Sequence, residues 1–261
     1  MSGQETSSRT SLWLARNEIN RTARLRLFCF PYAGGGSSVF RSWSQDLPSF
    51  VEVCPVQLPG RENRLREPAV VRIEPLAEAI AEAILPYLDH PFAFFGHSLG
   101  ALVGYEVARR LRDAKGIEPA HLFVSAHGAP HVPEHERDVY KLADREFLNY
   151  LRTLNGTSNE VFNCPELLEV LLPILRADFE MLGTYEYQPE APLSCPITVI
   201  VGSQDHSVTP EQIEGWGIHT TGALSVRFLP GDHFYLFSHK SLLLKMLTEE
   251  IHRIDGLNIS F

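Results

Sequence analysis

Residues Gly96-His97-Ser98-Leu99-Gly100 restrict this chain more than any other stretch, because an apolar run precedes them and a helical pattern follows. Phe92-Ala93-Phe94-Phe95 has the character of a strand buried on both faces, and Ala101 to Arg110 reads as the next helix. A serine between two glycines at such a junction predicts a tight turn, with a strained serine backbone and an exposed hydroxyl. The helix beginning there aims its N–H groups and positive dipole end at the same point. A glycine-rich βα turn of no chemical consequence can carry a serine too. Strand and helix on either side favour the nucleophile elbow, G-x-S-x-G.

A serine hydroxyl is a poor nucleophile at neutral pH, so it needs a base, and the base needs an orienting group. In α/β-hydrolases the chain order is Ser, then Asp or Glu, then His, each partner following a later strand. Pro196 to Gly202 is a β-branched apolar run that ends just before Asp205. Ser225-Val226-Arg227-Phe228-Leu229 reads as another strand, followed by Pro230-Gly231-Asp232-His233. Both acid and base then sit at the C-terminal edge of the sheet, where ligands of open parallel sheets collect. The expected triad is Ser98, Asp205 and His233. Asp232 adjoins His233 too closely in sequence to orient its ring well. Asp178 falls in a helical stretch, where a surface or structural role is expected. His206 has no strand of its own, and His97 is expected to pack beside the turn.

An oxyanion hole requires two backbone N–H groups aimed at the developing negative charge. Leu99, after the serine, supplies one. The strand Leu25 to Phe30 leads into Pro31-Tyr32-Ala33-Gly34-Gly35-Gly36, whose glycines allow close backbone approach. Ala33 is the favoured second donor and Tyr32 the alternative. This loop is no phosphate cradle, having neither G-K-[ST] nor G-x-G-x-x-G.

Further runs complete the pattern. Val51 to Val56 reads as a strand that bends near Pro55, Ile73 to Leu88 as an amphipathic helix, and His121 to Ser125 as a strand. Alternating strands and helices call for an α/β fold, a mostly parallel central sheet flanked by helices on both faces. Between Ala126 and Leu193 the strands stop. Leu142, Phe147, Leu148, Leu151 and Leu154 form one helical stripe; Leu167, Leu168, Leu171, Leu172 and Leu175 form another. An insertion there, about 127–192, predicts a helical lid whose apolar faces mainly pack and in part line an acyl channel. His127, His131 and His135 recur every four residues, but Pro130 and Pro133 break any helix that would align them, and no metal site is expected.

Four motifs in order carry a family resemblance: Phe30-Pro31-Tyr32-Ala33-Gly34-Gly35, Gln57-Leu58-Pro59-Gly60-Arg61-Glu62, Gly96-His97-Ser98-Leu99-Gly100 and Gly231-Asp232-His233-Phe234. From about Leu25 to Ile251 the chain resembles the stand-alone type II thioesterases that accompany polyketide synthases and nonribosomal peptide synthetases. The resemblance implies an α/β-hydrolase fold and hydrolysis of acyl or aminoacyl groups stranded on the phosphopantetheine arms of acyl- or peptidyl-carrier domains. It places the triad on Ser98, Asp205 and His233 and an oxyanion donor on Ala33. It implies no cofactor of the enzyme's own, since the substrate brings the phosphopantetheine. Tyr32 departs from the histidine of many relatives, and the adjacent Arg61 and Glu62 are expected to be structural and not catalytic. The triad alone does not separate thioester from ester, so a small-molecule esterase or acyltransferase is the alternative.

At 261 residues the chain suits one hydrolase domain over 21–255, with a flexible segment at 1–20 and a tail at 256–261. Met1 to Thr10 has no apolar core of a signal peptide, no run approaches membrane-spanning length, and no cysteines form a C-x-x-C pair. A cytoplasmic protein, most simply a monomer, with free thiols is expected. The first 70 residues hold 9 Lys and Arg against 6 Asp and Glu; the rest hold 14 against 26. That balance argues against nucleic acid. Docking an acidic carrier domain needs a local positive patch, for which Arg61, Arg64, Arg66 and Arg72 are candidates, or else ordinary solvated surface. No carrier segment is recognisable in the chain, so a separate carrier protein is expected.

Overall fold

The computed structural model describes residues 12–15, 20, 22–132, 137–154, 156 and 162–256. Strands β1 (Leu25–Phe30), β2 (Val51–Pro55), β3 (Phe92–His97), β4 (His121–Ser125), β5 (Ile197–Gly202) and β6 (Leu224–Leu229) form one sheet in the order β2-β1-β3-β4-β5-β6. Every neighbouring pair is parallel. Among the described residues the α-helices are α1 (Trp43–Asp46), α2 (Ile73–Ile84), α3 (Leu99–Lys115), α4 (Asp144–Thr153), α5 (Pro165–Thr184), α6 (Pro210–Glu214), α7 (Tyr235–Ser238) and α8 (Lys240–Gly256).

Both faces of the sheet are covered, which is why its central strands are apolar at consecutive positions. Phe28, Phe30 and Phe94 point into the layer holding α2 and α3, where Leu76, Ile80, Leu102 and Leu111 are buried. Leu27, Cys29, Ala93 and Phe95 point the other way, onto Trp43 and the Leu243–Leu247–Ile251 stripe of α8. Phe147, Leu151, Phe162, Leu175 and Phe179 make a third, smaller core between α4 and α5. Packing inside the insertion therefore accounts for much of its leucine stripes, while Leu142 and Leu167 stay exposed.

Two element boundaries differ from the sequence reading for local reasons. The helix expected to reach Leu88 leaves the α conformation after Ile84 and finishes as a single tight turn, Leu85–Tyr87. Pro86 has no N–H to continue the ladder. Leu12–Ala15 lies within the segment expected to be flexible, yet it is laid along the outer edge of β2. Leu14 bridges Val56, Ala15 N–H donates to Pro55 O at 3.0 Å, and Gln57 N–H donates to Trp13 O at 2.8 Å. The rest of the stretch expected to form a tail, 257–261, and residues 1–11 lie outside the described residues.

Buried histidines tie stability to pH, His121 and His219 among them. His121 bonds Thr198 Oγ1 through Nε2 at 2.8 Å and stacks on Phe123; burial pushes it down to about 4. His219 lies between Tyr105 Oη and His131 Nδ1, 2.8 Å from each. Burial, then His131 and Arg109, push it down to about 4 as well. Unfolding returns both to ordinary values near 6.5, so the unfolded chain binds more protons between roughly pH 4 and 6.5. Stability is complete above that window and falls as the pH drops through it, by about 1.4 kcal/mol per pH unit for each histidine. Urea unfolding in a pH series will show His121→Gln removing one histidine's share of this slope; an unchanged slope would contradict a neutral buried His121.

Candidate active site

Three strand ends build the site. β3 runs into Ser98, which has φ 53° and ψ −123° and forms the N-cap of α3. The bend is so tight that a Cβ on Gly96 would lie 2.2 Å from Gly100 O, and a Cβ on Gly100 would lie 2.1 Å from Phe30 O. Both glycines of the motif are thus required by close approach and not by loop flexibility. Ser98 N–H donates to Ser125 O at 2.8 Å, pinning the turn to the end of β4. Leu99 is the first residue of α3, so its N–H has no acceptor within the helix.

The loops after β5 and β6 are stitched together. Ser203 N–H donates to Leu229 O at 2.7 Å and Gln204 N–H to Gly231 O at 2.9 Å. This brings Asp205 beside His233, with Asp205 Oδ2 2.9 Å from His233 Nδ1. Asp205 Oδ1 accepts from the Ser207 N–H (2.9 Å) and hydroxyl (2.6 Å), and Ser207 Oγ lies 3.0 Å from His233 Nδ1. Burial works to raise the Asp205 carboxyl, but the hydrogen bonds from His233 and Ser207 outweigh it and hold the group below the usual carboxylate range. Ser207 was not singled out in the sequence; a serine two residues after the acid has no pattern of its own.

Ser98 and His233 line one cavity of about 290 Å³ together with Ala33, Tyr150, Phe179 and Gln212. A narrower apolar branch runs from Ser98 between Leu151 of α4, Leu154 just past its end, and Leu175 and Phe179 of α5. On the opposite wall the loop after β1 makes a four-residue turn, with Gly35 N–H donating to Tyr32 O at 2.9 Å and Gly34 at φ +80°. A left-handed third residue marks a type II turn and demands glycine. The Gly34 and Gly35 amides are both engaged, by Asp178 Oδ2 and Tyr32 O, while Ala33 faces the cavity. The Tyr32 ring packs edge-on against His97, Phe234 and Phe237, and burial pushes its hydroxyl up to about 12.

The remaining candidates fall elsewhere. Asp232 Oδ1 accepts from Phe234 N–H at 2.9 Å and so caps its own turn. His206 is exposed at the cavity rim. His97 is fully buried, its Nδ1 2.7 Å from Ser125 Oγ, and Ser125 in turn bonds Tyr235 Oη. Tyr235 spends its single proton on Ile200 O at 3.0 Å, so Ser125 donates to Tyr235 and His97 donates from Nδ1. Burial, then the neighbouring His233, holds His97 well below its ordinary value, which makes it a neutral packing group under the elbow. Among the described residues no His, Cys, Asp and Glu cluster is arranged to hold a metal; His131 bonds His219, and His135 lies outside the described residues.

Arg61 and Glu62 are both held structurally, though by other partners than each other: Arg61 pairs with the buried Asp178, 117 residues away, and Glu62 accepts from Ser37 Oγ and Ser38 N–H. The expectation of a four-arginine surface patch is corrected. Arg64 is buried too, donating to Gln57 O and Glu67 and lying over the Trp13 ring. Burial removes both from any surface patch, leaving Arg66 and Arg72 exposed.

A parallel sheet with a serine elbow after its third strand, and an acid and a histidine after its last two, defines an α/β-hydrolase. The chain belongs to the thioesterase family, whose domain model matches residues 25–254. It is a thioester hydrolase. It is 42% identical over 247 residues to the gramicidin S biosynthesis protein GrsT of Aneurinibacillus migulanus, covering 95% of this chain and 96% of that one. It is 46% identical over 251 residues to the protein named linear gramicidin dehydrogenase LgrE of Brevibacillus parabrevis, covering 95% of each. Among solved structures it is similar to the RedJ thioesterase from the prodiginine pathway of Streptomyces coelicolor, at 43% identity and a TM-score of 0.84. That likeness covers 89% of this chain and 92% of the other.

Proposed function

We propose that this thioesterase removes acyl and aminoacyl groups from the phosphopantetheine arms of acyl- or peptidyl-carrier domains, clearing stalled polyketide or nonribosomal peptide assembly lines. The observation that carries this reading is the likeness over most of the chain to GrsT, named for gramicidin S biosynthesis, to the RedJ thioesterase of the prodiginine pathway, and to YbtT, titled a type II thioesterase of the yersiniabactin NRPS/PKS pathway. In the proposed mechanism Ser98 Oγ attacks the thioester carbonyl while His233 Nε2 takes its proton. Asp205 holds His233 in the Nδ1–H form and stabilises the imidazolium. The oxyanion forms between the Ala33 and Leu99 amides. The thiol of the arm leaves easily, having a reference pKa of about 8.5, so little acid assistance is required. His233 then activates water against the acyl-serine.

The branch between α4 and α5 suits the apolar part of an acyl group. The four cysteines are free thiols, as a cytoplasmic enzyme would keep them, and no described helix is long and apolar enough to cross a membrane. The enzyme needs no cofactor of its own. The dehydrogenase in LgrE's name does not transfer, because the glycine-rich loop here lacks G-x-G-x-x-G and serves the serine site instead.

The test is intact-mass spectrometry of carrier domains loaded with short acyl or aminoacyl groups, with the Ser98→Ala variant as blank. Deacylation by the wild type, faster than cleavage of the same acyl group as a p-nitrophenyl ester, is the expected result. Intact carriers alongside rapid ester cleavage would replace this reading with that of a small-molecule esterase or acyltransferase.

A further inference from the structure

We infer that Asp178 and Arg61 are positioning residues for the oxyanion loop, holding the Ala33 amide in its working orientation from the underside of the α5 helix. The inference rests on the reading of Ala33 as an oxyanion donor. Asp178 is completely buried and Arg61 nearly so, and their contact is a two-pronged ion pair with both N–O distances at 2.7 Å. Neither group stops there. Asp178 Oδ2 also accepts the Gly34 N–H at 2.7 Å, and Arg61 Nη1 also donates to Gly35 O at 3.0 Å. One ion pair therefore grips two consecutive residues of the turn that presents Ala33.

The peptide group explains why that grip matters. The Tyr32–Ala33 peptide is planar and trans, so its C=O and its N–H point in opposite directions. Tyr32 O is held by Gly35 N–H at 2.9 Å, which sends the Ala33 N–H the other way. Gly35 keeps that position because Arg61 holds its carbonyl, and Gly34 keeps φ +80° because Asp178 holds its amide. Leu175, one helical turn before Asp178, closes the contact: a Cβ on Gly34 would meet Leu175 Cδ2 at 2.5 Å. Leu175 and Phe179 flank Asp178 and line the cavity branch, so one helix shapes the acyl site and sets the amide. Simple stability is a weak reason to bury such a pair, since apolar replacements of similar volume are often neutral.

The type II turn supplies a way to test this. Its second position, Ala33, accepts proline, which deletes the N–H and keeps the turn. The experiment measures kcat and KM of the full chain on an acyl-pantetheine thioester, per serine counted by complete fluorophosphonate labelling. Ala33→Pro is expected to lower kcat about 10² to 10³-fold, the usual effect of losing one oxyanion donor. Asp178→Asn is expected to lower kcat about 10²-fold with KM changed less than about threefold. The two together should lose no more than Ala33→Pro alone, because the grip has no amide left to orient. Arg61→Met with Asp178→Leu, which leaves no unpaired buried charge but frees the Gly34 N–H and Gly35 O, should show the same kcat loss at a lowered Tm with serine labelling still complete. A multiplicative loss in the Ala33→Pro, Asp178→Asn double variant would overturn the inference, as would a change in Tm with kcat per site unaltered. Unchanged kcat in Ala33→Pro would instead remove Ala33 from the reaction, and the inference with it.

Discussion

Ser98→Ala will lower kcat on thioesters by about a millionfold, and Asp205→Asn, which keeps every heavy-atom position, by about 10⁴-fold. The first loss follows from removing the nucleophile. The second follows from hydrogen-bond polarity around one carboxylate. Asp205 Oδ1 receives two donors from Ser207, the N–H at 2.9 Å and the hydroxyl at 2.6 Å. An asparagine at this position must turn its oxygen toward those donors, which leaves its NH₂ facing His233 Nδ1. His233 then accepts at Nδ1 and carries its proton on Nε2, so it has no lone pair with which to take the Ser98 proton. Ser207→Ala in the Asp205→Asn background weakens that orientation by removing one of the two donors. It should return part of the activity, while in the wild-type background it should cost about tenfold or less. Steady-state kinetics on an acyl-pantetheine decides the matter. A loss under about a hundredfold for Asp205→Asn would show that His233 is oriented by another group, and recovery with Ser207→Ala isolates the tautomer as the cause.

The parts of this molecule that were legible in the sequence are those written in neighbouring residues. The elbow is local: two glycines, a serine, an apolar run before and a helix after, each with a geometric reason seen in the 2.1 and 2.2 Å approaches at Gly100 and Gly96. The inner strands are legible because a sheet buried on both faces needs consecutive apolar, β-branched or aromatic residues, while β6 is a half-buried edge. Chain order then placed Asp205 and His233 at strand ends, and the structure brings them to 2.9 Å. What escaped was the meeting of distant side chains that no motif or chain-order rule connects. Arg61 and Asp178 carry no shared pattern across 117 residues, so a structural role is readable for each but not the contact between them. The His97–Ser125–Tyr235 chain escaped for the same reason, whereas Ser207 escaped because a serine two residues after the acid has no pattern of its own. Leu12–Ala15 was lost to composition: a polar neighbourhood hid a leucine that pairs with the edge of β2.

Gly100→Ala will destabilise the fold by about 3–5 kcal/mol, although helix propensity argues for the opposite sign. Gly100 lies in the first turn of α3, where alanine is worth up to about 1 kcal/mol over glycine. The deciding term is contact. A Cβ there would lie 2.1 Å from Phe30 O and 2.7 Å from Pro31 O, both backbone atoms that cannot rotate away. Relief requires α3 to move off the end of β1, and the chain leaving β1 is the oxyanion loop itself. Folded Gly100→Ala should therefore also lose kcat, because Ala33 and Ser98 are separated by the same movement. Gly116, the C-cap of α3 at φ +67°, gives the contrast, since a Cβ there meets nothing within 4 Å. Gly116→Ala should cost only the backbone strain of a left-handed alanine, about 1–2 kcal/mol, with kcat unchanged. Urea denaturation of both variants beside the wild type gives the comparison directly. Equal losses at the two positions would mean that backbone strain outweighs contact at the elbow, and the close approach of α3 to β1 would then not be what fixes the serine.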